Sequence, residues 1–573
     1  MGVVNGTASD GTRLLDAVTQ LRGAIAGAVL PFALPGREAA LAERAGLLHQ
    51  LDDYALPRLR ALDAPLLAVV GGSTGSGKST LVNSLINAQV SRSGVIRPTT
   101  TRPVLVHHPD DAHWFTDTRI LPRLSRVTGA ESDHAQPGTV RLVRSTALEP
   151  GLALLDAPDI DSVVEANRAL AGELLAAADL WLFVTTAARY ADAAPWELLR
   201  LASQRGASVA VILNRVAPSS VEEIRPHLVA MLREQELATA PVFSVVESPL
   251  TPAGFLPEQS FARLKGWLTA LSRDARAREI VVGQTLRGVV DSLRTRTDDL
   301  AGAAQAQREA QLALQAAVDG HFADALAQVE AGMTDGRLLR GEVLARWQEF
   351  VGTGEFFRQV ESKVARWRDR LTAAIKGTPL TPDDIGEALQ TGVAALVTAH
   401  GEGAVSDSLR DLRRLEGGST VLDIAPDLPQ LSPGFRPRVE RLIRDWQGEI
   451  FAMVRAEGGH RRTNARLAAY GVNGVGLLMM LVAFAHTGGL SGVEFGIAGG
   501  TSVLAQRVLE AIFGDQAVRR MATQARRALF VRVEELYAAE QARFTHAIAS
   551  VGAVEGQSEH LRAAARAVEE AAR

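Results

Sequence analysis

Apolar and polar positions along the chain fall into three regimes. From about Thr12 to Leu62, apolar residues recur at helical spacing, broken at Pro31 and at Pro35-Gly36, which predicts an N-terminal helical arm over 1–62. From Asp63 to about Leu271 the pattern changes to short apolar runs: Leu66 to Val70, Arg102 to His107, Leu152 to Leu155, Leu180 to Thr185, Val209 to Leu213 and Val242 to Val246. Each run has the length and branching of a buried strand, and helical periodicity fills the intervals. The alternation predicts an α/β domain over 63–272, a mainly parallel sheet with helices on both faces. Beyond Arg273 nearly everything reads as helix, predicting a long helical stalk or bundle over 273–466 and a returning C-terminal helix over 515–573. Within it, 283–333 suits irregular coiled-coil pairing. The block 336–376 gathers Trp347, Phe350, Phe356, Phe357 and Trp367 as packing residues, and 417–437 has the Gly and Pro content of a connector or hinge.

One stretch of the helical part departs from amphipathic patterning. Leu467 to Val493 is 27 consecutive residues without a formal charge, and after Glu494 a second uncharged run extends from Phe495 to Gln506. A bilayer needs ~20 apolar residues for a helical span. Arg461, Arg462 and Arg466 precede the pair and Arg507, Arg519 and Arg520 follow it. Both ends therefore prefer the same side of a membrane, which favours a hydrophobic hairpin tip over 467–514 that dips into lipid. Its many glycines also suit a buried, closely packed hairpin, so a dry core remains the other reading.

Between the first predicted strand and the next helix stands Gly72-Ser73-Thr74-Gly75-Ser76-Gly77-Lys78-Ser79-Thr80, the full G-x-x-x-x-G-K-[ST] phosphate loop. At a strand-to-helix turn its amides face one anion and the helix N-terminus adds positive potential. Lys78 is expected to reach the outer phosphates and Ser79 to hold Mg²⁺. The chain has only four lysines, Lys78, Lys265, Lys363 and Lys376, which makes a lysine here specific.

Composition narrows the classes. A length of 573 residues implies more than one core. The formal net charge of −4 argues against nucleic acid as a partner, and the absence of cysteine removes disulfides, thiolate metal sites and cysteine nucleophiles. The N-terminal residues lack a basic segment followed by an apolar core, so the expectation is a cytoplasmic protein, peripheral or hairpin-anchored at the inner face of the cell membrane.

Three further segments fit a triphosphate site. Leu152 to Asp156 is a buried strand ending in a carboxylate that can reach Mg²⁺, with Asp159 three residues on. Arg97-Pro98-Thr99-Thr100-Thr101 lies where a mobile loop can place a threonine hydroxyl on the metal; Thr100 and Thr101 both qualify. Val209 to Leu213 runs into Asn214-Arg215, in the position of an Asn-Lys-x-Asp guanine motif, with Ala217 in place of the aspartate. Ser244 and Val245, after the last strand, are weaker candidates for a backbone contact to the base.

In the order of these motifs the chain resembles the translation-factor-like P-loop GTPases and, within them, the bacterial dynamin-like GTPases of actinobacterial type. Gly72 to Ser79, Arg97 to Thr100, Asp156 with Pro158, and Asn214 with Arg215 carry the resemblance, about a third of the chain. It implies a GTPase domain using GTP and Mg²⁺, self-association through G domains, a paralogous GTPase as partner, and membrane remodelling, with lipid met by 467–506. The departures weaken guanine preference at Ala217 and remove the usual water-orienting groups, since Asp159 replaces a glycine, Ile160 stands at a glutamine position, and Thr74 stands where dynamins have a glutamine. Charge from Arg97, Arg102 or Arg189, or help from a second copy, is expected to compensate. A soluble regulatory GTPase acting in ribosome or stress biology, and an ATPase, are the alternatives.

Overall fold

The computed structural model describes residues 8–92, 102–129, 138–161, 165–192, 196–197, 199–200, 202, 207–235, 237–334, 382–457 and 515–573. The threonine loop with Arg97, Thr100 and Thr101, the aromatic block 336–376 and the uncharged pair of runs 467–506 lie outside them. The described residues group into two compact units, the first comprising 1–30, 35–306 and 554–573, the second 31–34 and 307–553.

The first unit is organised by a sheet of eight strands: β1 (Leu66–Gly72), β2 (Val104–His107), β3 (Ser125–Thr128), β4 (Thr139–Arg144), β5 (Leu152–Asp156), β6 (Leu180–Thr186), β7 (Ser208–Val216) and β8 (Val242–Val246). Their order is β3-β4-β2-β5-β1-β6-β7-β8, and every neighbouring pair is parallel except β2 with β5. All six predicted strands are present. β3 and β4 were not expected, because Ser-Arg-Val-Thr and Thr-Val-Arg-Leu-Val-Arg are short and interleave arginine with apolar positions. β1 and β6 are buried along their whole length, as continuous apolar runs between helices on two faces require.

The described helices of this unit are α1 (Ala8–Gly27), α2 (Arg37–Gln50), α3 (Leu56–Arg60), α4 (Lys78–Ile86), α5 (Ala112–Phe115), α6 (Glu165–Ala176), α7 (Val221–Glu234), α8 (Glu258–Arg273), the first part of α9 (Ala275–Thr334), and a C-terminal helix, Gln557–Ala572. One sheet face packs on α6 and α7 through Val69, Leu155, Phe183, Val211, Leu174 and Leu228. The other packs on α4, and its core continues without a break through Val18, Leu21 and Ile25 of α1, Leu293 of α9 and Leu561 of the last helix. Helices near both ends of the chain are thus part of the first unit's own core.

The second unit is helical: the rest of α9, α10 (Pro382–Arg414), α11 (Gly418–Ile424), α12 (Phe435–Glu457) and α13 (Asp515–Ser550), the C-terminal helix of the first unit being α14. Phe322, Val397, Ile443, Trp446, Leu529 and Phe544 lie in one core. The Tyr537 hydroxyl donates to the Val397 carbonyl at 2.6 Å and the Trp446 indole to the Ala525 carbonyl at 2.7 Å, so the polar tips of buried aromatics are satisfied. The segment 417–437, expected to be a connector or hinge, is pinned instead. Glu540, 1% exposed, accepts from the Ser432 amide at 3.1 Å and pairs with Arg438 and Arg543, and Arg543 also donates to the carbonyls of Gln430 and Asp427. Among the described residues no helix is long and apolar enough to cross a membrane.

Candidate functional site

The phosphate loop leaves the C-terminal end of β1 in the middle of the sheet and enters α4 at Lys78. Two of its glycines are required by geometry. Gly72 has φ +155, and a Cβ there would stand 2.1 Å from the Val184 carbonyl of β6; Gly77, the α4 N-cap, has φ +88, and its Cβ would meet Asn214 Nδ2 at 2.5 Å. The curl is closed by the Ser76 amide on the Ser73 carbonyl at 3.1 Å. The hydroxyls of Ser73 and Ser76 are buried with no partner among the described residues, donors of the kind that an anion would satisfy.

Lys78 is 4% exposed, and its ammonium is held by Asp159 and by the Ser73 carbonyl, the latter at 3.3 Å. Ser79 donates to Asp156 Oδ2 at 2.7 Å and Ser91 donates to the same oxygen at 2.5 Å. Asp156 is fully buried at the end of β5, and its Oδ1 has no partner among the described residues. Burial pushes its carboxyl above the usual range, opposed by the hydrogen bonds from Ser91 and Ser79 and by the nearby Lys78 ammonium. A hydroxyl and a carboxylate with an orphaned oxygen are a hard-oxygen donor set of the kind Mg²⁺ takes. Thr80 completes the first turn of α4 and passes its carbonyl to the Ser84 hydroxyl.

A second cluster grips the loop at Thr74. Asp161 Oδ1 accepts from the Thr74 amide at 2.5 Å and from its hydroxyl at 2.7 Å. Arg189, after β6, donates to the Thr74 carbonyl at 3.0 Å and pairs with Asp161 at 3.1 Å and with Asp192 at 2.9 Å. Burial acts to raise the Asp161 carboxyl, but the two Thr74 hydrogen bonds and the Arg189 charge outweigh it and hold it below the ordinary carboxylate range. Ile160 is buried and offers no polar atom. Of the three arginines named from the sequence, Arg189 is at the loop, Arg102 precedes β2, and Arg97 is not described.

At the end of β7, Asn214 is 3% exposed, donates Nδ2 to the Ser76 carbonyl at 2.7 Å and accepts the Arg215 amide at 3.0 Å. Arg215 has φ +55, and its Nε lies 3.8 Å from the position of a Cβ on Gly77, so its side chain lies beside the loop. Ser244 lies within the last strand and not after it, and its side chain does not turn to the α4 face. It sits within β8 level with Leu213, and because strand side chains alternate while Val245 belongs to the α4 face, Ser244 faces the other way. The loop end of β8 is reached only at Glu247 and Ser248.

Sequence reasoning missed Ser91 and Asp161. Asp161 had a local signal, an acidic residue two positions after Asp159; Ser91 had none, since it reaches Asp156 only through the fold.

Residues 67–216 match the family model of the dynamin family. Over these residues the sheet domain that carries the phosphate loop is similar to that family. Among solved structures, this chain is similar to a member of a bacterial dynamin pair, described as oligomerised and as a mechanism for long-range sensing and tethering of membranes, with 13% identity over 93% of this chain and 95% of that one and a TM-score of 0.46. LeoA, a bacterial dynamin GTPase from ETEC, matches with 12% identity over 95% and 98% of the two chains and a TM-score of 0.26. Toc33 from Arabidopsis thaliana, in complex with Mg²⁺ and GMPPNP, matches 40% of this chain over 91% of its own at 16% identity and a TM-score of 0.24. No curated protein matches the sequence.

Proposed function

We infer that this chain binds and hydrolyses GTP with Mg²⁺, associates through its G domains and couples that cycle to membrane binding or remodelling through 467–506, at the cytoplasmic face of the cell membrane. The observation that carries the nucleotide reading is the convergence at one loop of Lys78 with Asp159 and of Ser79 with Asp156, on the strand ends where α/β sheets bind their ligands.

Each residue has a task. The loop amides and the Lys78 ammonium bind the phosphates, and incoming phosphate replaces Asp159 on Lys78. Ser79 and Asp156 hold Mg²⁺, with Ser91 orienting the carboxylate; the metal, when bound, neutralises charge on the outer phosphate oxygens. Asn214 fixes the Ser76 carbonyl, which keeps the loop curled. Thr100 and Thr101 are proposed as the switch contacts to metal and terminal phosphate. Because Ile160 cannot orient water and the Thr74 hydroxyl is engaged by Asp161, a single copy hydrolyses slowly and a second copy, of this chain or of a paralogue, supplies the missing group.

Titration of the full chain with a fluorescent GTP analogue and Mg²⁺ tests the first part: Lys78→Ala is expected to weaken binding by at least about 100-fold, on the scale of a lost charge-assisted contact. Specific activity that rises with protein concentration, and flotation with anionic vesicles that is lost on deleting 467–506, test the rest. Normal nucleotide binding with no vesicle effect would favour the soluble regulatory reading.

A further inference from the structure

Ala217 leaves the proposed guanine pocket without the carboxylate that accepts both the N1–H and the 2-amino group of the base. A site that buries those donors unpaired loses most of its discrimination. The structure shows which residue stands next to the gap. β7 and β8 run parallel with Val216 level with Val246, and the Glu247 amide donates to the Val216 carbonyl at 2.9 Å. One step beyond the last registered pair, Ala217 and Glu247 are therefore neighbours across strands spaced by about 4.8 Å.

They also lie on the same face. Ala210, Ile212 and Val245 belong to the core shared with α4, whereas Val209, Val211, Leu213 and Val216 belong to the opposite one. Leu213 and Val216 share a face although three residues apart, because the register shifts between them and Arg215 adopts φ +55. That irregularity resets the alternation, so the residue after Val216 returns to the α4 side. Val245 is on the same side and Glu247, two residues on, follows it. Glu247 is exposed, and among the described residues its carboxylate has no hydrogen-bond or ion-pair partner. Arg215 lies beside the loop from the same strand end, so a planar cation beside the phosphate cradle and an unpartnered carboxylate next to Ala217 stand at the ends of adjacent strands.

Resting on the proposed nucleotide reading, we propose that Glu247 is the specificity-determining residue of the base pocket, its carboxylate accepting the guanine N1–H and 2-amino hydrogens from the neighbouring strand. Its side chain is one methylene longer than the aspartate that Ala217 displaces, which suits an approach from one strand further away. An adenine ring is rejected because its N1 presents a lone pair to the carboxylate and it has no 2-amino group. The purine class of the substrate is set by β8 and not by the β7 motif.

Competition of GDP, XDP, IDP and ADP, with Mg²⁺, against a fluorescent guanine nucleotide on the full chain tests this. Wild type is expected to bind GDP at least 10-fold tighter than IDP and more tightly still than ADP. Glu247→Gln, whose amide donates to a 2-carbonyl and accepts from N1–H, is expected to lose at least 10-fold for GDP and to gain for XDP, a gain that an unfolded variant cannot give. Ala217→Asp placed on Glu247→Ala is expected to restore GDP preference. A GDP-to-XDP ratio unchanged in Glu247→Gln, or a wild type that binds ADP as well as GDP, would overturn the assignment while leaving the nucleotide reading in place. Failure of wild type to bind any of the four would instead overturn the nucleotide reading itself.

Discussion

At the residue scale, the site holds an internal ion pair, Lys78 with Asp159, that the proposed substrate must renegotiate. Asp159 occupies the Lys78 ammonium at 13% side-chain exposure, where a phosphate oxygen has to go. A glycine at that position would leave the lysine waiting; the aspartate makes phosphate entry an exchange. Asp159→Asn is expected to raise affinity for GTP by about 10-fold and to lower the melting temperature without nucleotide, because removing one member of a buried pair strands the other. A titration and a pair of thermal melts check this, and unchanged affinity would show that the exchange costs nothing. The Thr74 cluster gives a pH signature. The folded-state Asp161 carboxyl lies below its unfolded value, so its contribution is present above the ordinary carboxylate range and is lost as pH falls through the depressed value. Melting curves from pH 6 to about pH 3 are expected to converge for wild type and Asp161→Asn at the acid end, and a constant gap would refute it.

Among elements, a buried polar node ties the sheet to its flanking helices. Asp179, 2% exposed immediately before β6, accepts the Leu67 amide of β1 at 2.8 Å, pairs with Arg58 of α3 at 3.3 Å, and offers its carbonyl to the Thr285 hydroxyl of α9 at 2.9 Å. Asp179→Ala leaves Arg58 buried and unpaired and is expected to cost about 3–5 kcal/mol in denaturant unfolding. A value below about 1 kcal/mol would mean that water replaces the carboxylate. The same scale shows what the sequence made legible. β1, β5, β6 and β7 could be read because a strand covered on both faces must be apolar throughout. β3 and β4 could not, since an outer position in the sheet permits arginines such as Arg126 and Arg141, whose guanidinium groups find backbone carbonyls only after folding. That Ser244 lies within the strand and not after it was illegible for a similar reason. A run of apolar residues marks a strand but does not tell which member lies at its loop end.

Over the whole molecule, the first unit is assembled from residues at both ends of the chain. Leu561 of α14 is fully buried in the core that also holds Val18, Leu21 and Ile25 of α1. Leu561→Ala is expected to cost about 2–5 kcal/mol, and the loss should register in the thermal transition that GDP raises, since that core continues beneath α4. If the mutation left the GDP-dependent transition alone, the terminal helices would form a separate folding unit. In the second unit, Glu540 and Arg543 fasten the Pro-rich segment 425–434 to α13, so bending there would require breaking buried charge pairs.

The sequence by itself determined where the proposed phosphate cradle lies, because its candidate groups belong to nine consecutive residues at one strand-to-helix turn. It also determined the parallel α/β class and the helical remainder, through periodicities that follow from local geometry. Only the tertiary structure decided which distant residues meet: Ser91 on Asp156, Asp161 and Arg189 on Thr74, Glu247 beside Ala217, and α1 with α14 in one core. Those partners are separated by tens to hundreds of residues, and no local pattern encodes a meeting that arises when strands register and helices pack.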